Sequence, residues 1–527
     1  MTTAVPSFPD MPATRRETHF GGRSMTCFAE RPATMDAMIR TAAATHPDGD
    51  AVVDGATRLS HGALDALASA FARRLTAHGL PSGSRIGLLV GNRWEWVVAL
   101  LGTLRAGMVA VPLSTRAQDE ELRYIVTDCA AALVVAEPDL IARLPDDTDT
   151  LAVDDGFRAA LEAAPAADLP APGTAEEDLA VILYTSGTTG EPKGAMISHL
   201  NLVHSCLHFT HCFSLTAQDR SLVAVPVSHV TGLVAAALAP LSVGAAVLLL
   251  PAFKADAFLA LAETERMTYT IMVPAMYNLC LLRSDFSRYD LSPWRIGAYG
   301  GAPMPEATIR KLAEELPTLE LANAYGATET TSPTSIMPLG GTATHSDSVG
   351  RVVPCGVVRI VDDSGHDVAP GQAGEVWIAG PMVVPGYWNK PQATTENFQD
   401  GFWKSGDIGS LDTDGFLRVF DRKKDMINRG GYKIFSAEVE NVLSHHPAVA
   451  EVAVVPHPDP VLGEKVHVFI HPKDDTITED DIRAFCAARL SDYKVPDFVT
   501  LSPEPLPRNS NGKLIKRALR DGIEDPA

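Results

Sequence analysis

Short apolar runs and longer amphipathic stretches alternate through the first third of the chain. RIGLLVG (85–91) reads as a strand, WEWVVALLGTLRAG as a helix, MVAVPL as a strand, ELRYIVTDC as a helix and ALVVAE as a strand. This switching between unbroken apolar runs and a helical period predicts βαβ units, hence a mostly parallel sheet with helices on its faces. After about residue 355 the pattern shortens to strands separated by Gly and Asp turns, as in VVRIVDDSGHDV, GEVWIAG and GSLDTDGFLRVF. That texture predicts a β-rich subdomain. A charged stretch, DRKKD (421–425), precedes a last unit of helix-like SAEVENVLSHH, strands VAEVAVV and KVHVFIH, and a further helix. The final helix opens on the capping pair Thr478 and Asp481 and carries Ile482, Phe485, Cys486 and Leu490 at helical spacing. The expected fold is α/β: a large N-terminal domain of mostly parallel sheets plus a β-rich subdomain, followed by a small, mobile α+β C-terminal domain.

Three stretches need separate reading. Residues 1–34 mix Arg, Asp and Glu without a continuous apolar segment, so they predict a partly ordered lead-in rather than a targeting signal. AAPAADLPAPGTAEEDLA (163–180) reads as a surface connection. From Leu222 to Phe253 there is no Asp, Glu, Lys or Arg, and a membrane span needs only about 20 apolar residues. Pro226, His229, Thr231-Gly232, Pro240 and Gly244 break that run into strand- and helix-length pieces, so a buried core is expected and no membrane span.

Composition narrows the function. The chain has 527 residues, 46% of them hydrophobic, enough for several packed units. Its 44 Lys plus Arg face 65 Asp plus Glu, a net charge of −21, which excludes a nucleic acid as the main partner. The 7 cysteines are scattered and form no CxxC, which points to a reducing, cytoplasmic setting.

The richest run is VILYTSGTTGEPKGAMISHLN (181–201), in which a strand gives way to Gly, Ser and Thr before a helical pattern resumes. Gly187 and Gly190 permit close backbone approach, Thr185, Ser186, Thr188 and Thr189 offer hydroxyls, and Lys193 brings positive charge, a combination suited to a polyphosphate. It is neither G-x-x-x-x-G-K-[ST] nor a dinucleotide fingerprint. Four further runs follow in order: GAYGGAPMP (297–305), NAYGATET (323–330), FWKSGDIGSLDTDGFLRVFDRKKDMINRGGYKIFSAEVE (402–440) and PRNSNGKLIKRAL (507–519).

Together the five runs resemble the adenylate-forming superfamily of acyl-CoA synthetases, nonribosomal adenylation domains and beetle luciferases. The resemblance implies a large domain over 35–421, a hinge at 422–424 centred on Lys424, and a small domain over 425–527. It implies a carboxylate attacking the α-phosphate of ATP, followed by transfer of the acyl group to a thiol. Lys513 is the implied catalytic lysine, Glu329 the Mg²⁺ ligand and Thr328 the hydroxyl beside the α-phosphate. Asp407 would accept the ribose hydroxyls with Arg422 as partner, and Gly301-Ala302-Pro303 and Asn323-Ala324-Tyr325 would wall the adenine. Gly430, Gly431 and Lys433 would meet CoA, and His229 would stand where acid and pantetheine meet. The acid pocket would be lined by Val230, Thr231, Gly232, Tyr299, Gly300, Gly326 and Thr331, a small or apolar set that suits an aliphatic or aromatic monocarboxylic acid.

Only a few residues follow the last motif, so CoA is the expected acceptor, with a separate carrier protein as the alternative and a homodimer left open. A non-catalytic nucleotide-binding protein is the rival of another class. His204, Cys206, His211 and Cys212 lack paired zinc spacing and are read as packing residues.

Overall fold

Strands Arg85–Leu89, Val109–Pro112 and Leu133–Ala136 run parallel, with Ile86 opposite both Ala110 and Leu133. The helices between them, Trp94–Arg105 and Asp119–Asp128, fall where the helical pattern predicts. Helices on both faces bury such a sheet completely, which is why its strands read as unbroken apolar runs. The computed structural model describes residues 5–163, 173–185, 192–473, 477–508 and 514–523.

This sheet reaches six strands by adding Thr150–Ala152 at one edge and a hairpin, Leu179–Thr185 with Lys193–Ser198, at the other. The hairpin corrects the sequence reading. The Gly/Ser/Thr run joins two antiparallel strands, with Lys193 opposite Thr185 and Met196 opposite Ile182, and helix His199–Cys212 starts only after the second strand. Ala195 and Ile197 face the core, and the strand's free edge is taken by a later segment: the Met196 amide donates to the Gly386 carbonyl and the Trp388 amide to that of Gly194. Antiparallel pairing with Leu179–Thr185 makes this segment a strand, and residues 386–388 cover its other edge.

A nine-stranded sheet forms the second layer. Its parallel centre, Ala246–Leu249, Arg220–Val223, Tyr269–Met272, Ile296–Tyr299 and Glu320–Tyr325, places Tyr299 opposite Asn323 at the carboxyl ends. The charge-free run resolves into strand Arg220–Val223, a π-helix Thr231–Leu238, helix Ala239–Ser242 and strand Ala246–Leu249. Among the described residues no helix is long and apolar enough to cross a membrane. One core cluster runs from Met35 to Leu417 and includes Trp96 and Phe209, both fully buried. Each such side chain contributes about 1.5–3 kcal/mol relative to exposure.

Five short strands from Val357–Val361 to Leu417–Arg422 make the β-rich layer. The chain enters a further five-stranded sheet at Ile427–Arg429, which packs helices Ser436–Ser444 and Glu479–Ala487 around its own apolar cluster. The expected capping box is present: Thr478 accepts from the Asp481 amide and Asp481 from that of Thr478.

The N-terminal lead-in is more ordered than expected. Thr14–His19 and Arg23–Phe28 form a hairpin, held by Arg31 between Glu17 and Glu176 and by His19 against Glu177. Glu17, His19 and Cys27 lie close enough to share a cation, but the Arg31 guanidinium donates twice to Glu17, so this cluster is an ion-pair network. Nor does helix His199–Cys212 offer a metal site. His204 is engaged at both nitrogens, by the Leu200 carbonyl and the Phe28 amide, and Cys206 faces the Met35 sulfur.

Burial depresses the pKa of His199 and His204 to about 4 and that of His208 well below the usual histidine value. Among the described residues neither ring nitrogen of the fully buried His208 has a hydrogen-bond partner, and Phe28 packs 5.4 Å away. These histidines stay neutral in the fold while the unfolded chain protonates below about pH 6.5, so stability is complete above that pH and is lost as pH falls. His208, the most deeply buried of the three, contributes to that loss as pH falls below about 6.5. In thermal melts at pH 7.5 and 5, His208→Leu should lose less stability on acidification than the parent chain; an equal drop would exclude His208 as a source.

Candidate active site

The carboxyl ends of adjacent parallel strands form the floor of the candidate site, the usual ligand position in open α/β sheets. Tyr299, Asn323 and Ala324 are buried there, while Gly301, Ala302 and Pro303 lie exposed just beyond the strand end. Gly300 makes the closest approach: a Cβ on it would stand 2.4 Å from the Ala324 carbonyl oxygen. No other residue lets the two strand ends converge. Asn323 hydrogen-bonds the Tyr299 phenol, whose pKa burial nevertheless raises to about 12, so it remains a neutral donor.

The β-rich layer supplies a buried carboxylate. Asp407 on Phe402–Leu411 and Arg422 on Leu417–Arg422 are direct cross-strand partners. Their ion pair measures 2.8 Å, the Asp407 amide donates to the Ser405 hydroxyl, and Arg422 Nη1 donates to the Ser405 carbonyl. The Tyr325 hydroxyl donates to the other Asp407 oxygen, tying the nine-stranded sheet to the β-rich layer. Burial opposes the charge on Arg422, but Asp407, Tyr325 and Glu329 outweigh it and hold the guanidinium pKa above its ordinary value. Asp407 keeps acceptor capacity on both oxygens, since a carboxylate offers about four lone-pair directions.

Thr328, Glu329 and Thr330 form a single 3₁₀ turn after the Glu320–Tyr325 strand, and Thr331 follows with a φ of 50°. Thr328 is buried and Glu329 half-buried. Burial raises the Glu329 pKa, against the Tyr387 hydrogen bond and the charges of Arg422 and Lys193. Only Oε1 of Glu329 receives a side-chain hydrogen bond among the described residues, 2.8 Å from the Tyr387 hydroxyl. A half-buried hard carboxylate with one oxygen free of side-chain bonds among the described residues fits a divalent cation. The Lys193 ammonium lies 5.3 Å from the centroid of the same Tyr387 ring. Tyr387 was not legible as a site residue; its only sequence signal is an aromatic pair after Gly386.

His229 is half-buried and accepts from the Thr231 amide at 3.3 Å, on the turn that enters the π-helix. Such helices cluster at functional sites. Val230 and Gly232 are buried and Thr231 half-buried. A Cβ on Gly232 would fall 2.1 Å from the Pro226 carbonyl oxygen, so the tight entry excludes any larger residue. Gly326 is crowded by Thr330, Pro333 and Thr334.

Thr185 ends its strand half-buried, its hydroxyl 3.4 Å from the Lys193 carbonyl. Ser186, Gly187, Thr188, Thr189, Gly190 and Lys513 lie outside the described residues. Lys424 sits exposed between the last two sheets, its carbonyl accepting from Arg520, which also pairs with Asp425 at 2.9 Å. Gly430 and Gly431 make the turn of hairpin Ile427–Arg429 and Tyr432–Ile434, and Lys433 faces Asp363 at 3.8 Å. Among the described residues, Lys424 and Lys433 make no side-chain bond to Glu329 or Asp407.

The chain matches the AMP-binding enzyme family over residues 39–388 and the AMP-binding enzyme C-terminal domain over residues 438–513. It belongs to the AMP-binding enzyme family. A feruloyl-CoA synthase from Amycolatopsis is 34% identical over 482 residues, covering 90% of this chain and 96% of the relative. The long-chain-fatty-acid–CoA ligase FadD13 of Mycobacterium tuberculosis is 33% identical over 496 residues, covering 92% and 97%. Among solved structures, the o-succinylbenzoate CoA synthetase of Bacillus subtilis, in complex with its acyl-adenylate intermediate, superimposes with a TM-score of 0.84. It shares 28% identity over 94% of this chain and 99% of that one. For this member of the family, Asp407→Ala should leave Arg422 and Tyr325 without their shared acceptor. Equilibrium titration should show AMP binding weakened more than tenfold; unchanged affinity would detach Asp407 from the nucleotide.

Proposed function

We propose that the chain is an ATP-dependent, AMP-forming acid–thiol ligase, most simply an acyl-CoA synthetase. The reading is carried by the Tyr325–Asp407–Arg422 contact beside Glu329, at the carboxyl ends of parallel strands. A carboxylate oxygen of the acid attacks the α-phosphorus of ATP, the bond to the bridging oxygen breaks and pyrophosphate leaves. The CoA thiolate then attacks the acyl carbon of the mixed anhydride, and AMP departs with one oxygen of the original carboxylate.

Asp407 would accept from the ribose hydroxyls and Arg422 would hold Asp407 charged. Glu329 would hold Mg²⁺, which neutralises phosphate charge when bound, and Thr328 would set its hydroxyl beside the α-phosphate. Lys193, the Ser186–Gly190 run and Lys513 would add donors toward the anions. The relatives named for aromatic and fatty acids support an aromatic or aliphatic monocarboxylic acid. The small or apolar residues Val230, Gly232, Gly300 and Gly326 support the same class. The 7 cysteines, all free and buried, agree with a reducing cytoplasmic setting.

The domain division proposed is 35–421 and 425–527 about Lys424, since the chain leaves one sheet at Arg422 and joins the next at Ile427. Rotation about that hinge would exchange Lys513 for Gly430, Gly431 and Lys433 at the reacting carboxyl between the two steps.

Pyrophosphate exchange into ATP over a panel of aryl and straight-chain acids should identify the acid; no exchange with any member would favour the nucleotide-binding alternative. With that acid, CoA and a carrier protein compete directly as acceptors. Lys513→Ala should lower exchange by about a hundredfold or more, while thioester formation from supplied acyl-adenylate stays within several-fold. Equal loss in both steps would contradict the domain rotation.

A further inference from the structure

Tyr387 occupies a position that the two-step chemistry does not by itself require. It is 6% exposed, packs edge-on against Phe398 at 5.6 Å, and presents its hydroxyl to Glu329 and its ring to the Lys193 ammonium. Glu329, on the turn after the nine-stranded sheet, and Lys193, on the six-stranded sheet, meet the same tyrosine, one at its hydroxyl and one at its ring.

The mount of that ring is unusually well tied. Arg23 of the N-terminal hairpin donates to the carbonyls of Val384 and Pro385 at 3.1 and 2.8 Å. Asn201 donates to those of Pro381 and Val383, at 2.7 and 3.2 Å. The Val384 amide donates to the Glu329 carbonyl, and residues 386–388 bond to Gly194 and Met196 beside Lys193. The segment that carries Tyr387 is thus stitched to the backbone of Glu329 and to the strand that begins at Lys193.

An ammonium and a carboxylate in such a site would otherwise pair with each other, each cancelling the charge that nucleotide and cation require. The ring gives Lys193 a cation–π surface that leaves its N–H donors free. The hydroxyl satisfies Oε1 of Glu329, and among the described residues no side chain bonds the second oxygen. We infer that Tyr387 is a positioning residue that keeps Glu329 and Lys193 apart and aims the free Glu329 oxygen at the cation accompanying ATP. This rests on the ATP-dependent reading above.

The two halves of the tyrosine separate the two roles, so Tyr387→Phe and Tyr387→Leu are compared by calorimetric titration with ATP, once with Mg²⁺ and once with EDTA. Tyr387→Phe retains the ring and its packing. It should bind metal-free ATP within about twofold of the parent, yet lose about tenfold of the affinity gained with Mg²⁺. Tyr387→Leu should lose that gain and also weaken metal-free ATP by about two- to fivefold, through Lys193. Glu329→Gln should lose the same Mg²⁺ gain, and adding Tyr387→Phe to it should cost nothing further. A Tyr387→Phe protein that keeps the full Mg²⁺ gain, or losses that add in the double variant, would overturn the inference while leaving the ATP-dependent reading intact. A parent chain that binds no ATP would overturn both.

Discussion

Two anions must come within bonding distance for a carboxylate to attack a phosphate, and the surroundings of that encounter govern the rest of the molecule. The chain as a whole opposes it, with a net charge of −21. Positive charge is therefore concentrated locally and prevented from discharging against the acidic groups beside it. Arg422 is held by Asp407 across one pair of strands, while Lys193 rests on an aromatic face. Each arrangement holds a half-buried charge against a partner that satisfies it only in part, leaving capacity for a ligand.

This requirement accounts for the way the layers are joined. The carboxyl ends of the nine-stranded sheet bring Tyr299, Asn323, Tyr325 and Glu329 to one side, and the β-rich layer brings Asp407 and Arg422. The Tyr325–Asp407 bond links those two layers, and Glu329–Tyr387 links the same 3₁₀ turn to the hairpin that carries Lys193. The N-terminal hairpin, which contributes nothing to the floor of the site, acts at a distance by pinning residues 384–385 through Arg23.

Much of this was legible in the residues. The βαβ rhythm, the β-rich texture after about residue 355 and the Thr478–Asp481 cap depend on local patterns, and local patterns survive in a linear reading. Glu329, Asp407 and Arg422 could be named because they sit in motif runs. The strand Lys193–Ser198 could not, because the Gly-, Ser- and Thr-rich run before it suggested a phosphate loop opening directly into a helix, whereas it folds back antiparallel on Leu179–Thr185. The N-terminal hairpin was hidden for a related reason: Arg31, Glu17 and Glu176 read as scattered surface charges until the fold brings them together. Tyr387 shows the same limit, since its importance lies entirely in what touches it.

The central claim is that an acid oxygen becomes bonded to the α-phosphorus of ATP at this site. Turning over the cognate acid with both carboxylate oxygens replaced by ¹⁸O, in the presence of ATP and CoA, follows that bond directly by mass spectrometry of the products. The account requires one ¹⁸O atom in the phosphate of AMP and none in pyrophosphate. Unlabelled AMP, or label in any phosphate released from the β or γ positions, would contradict it.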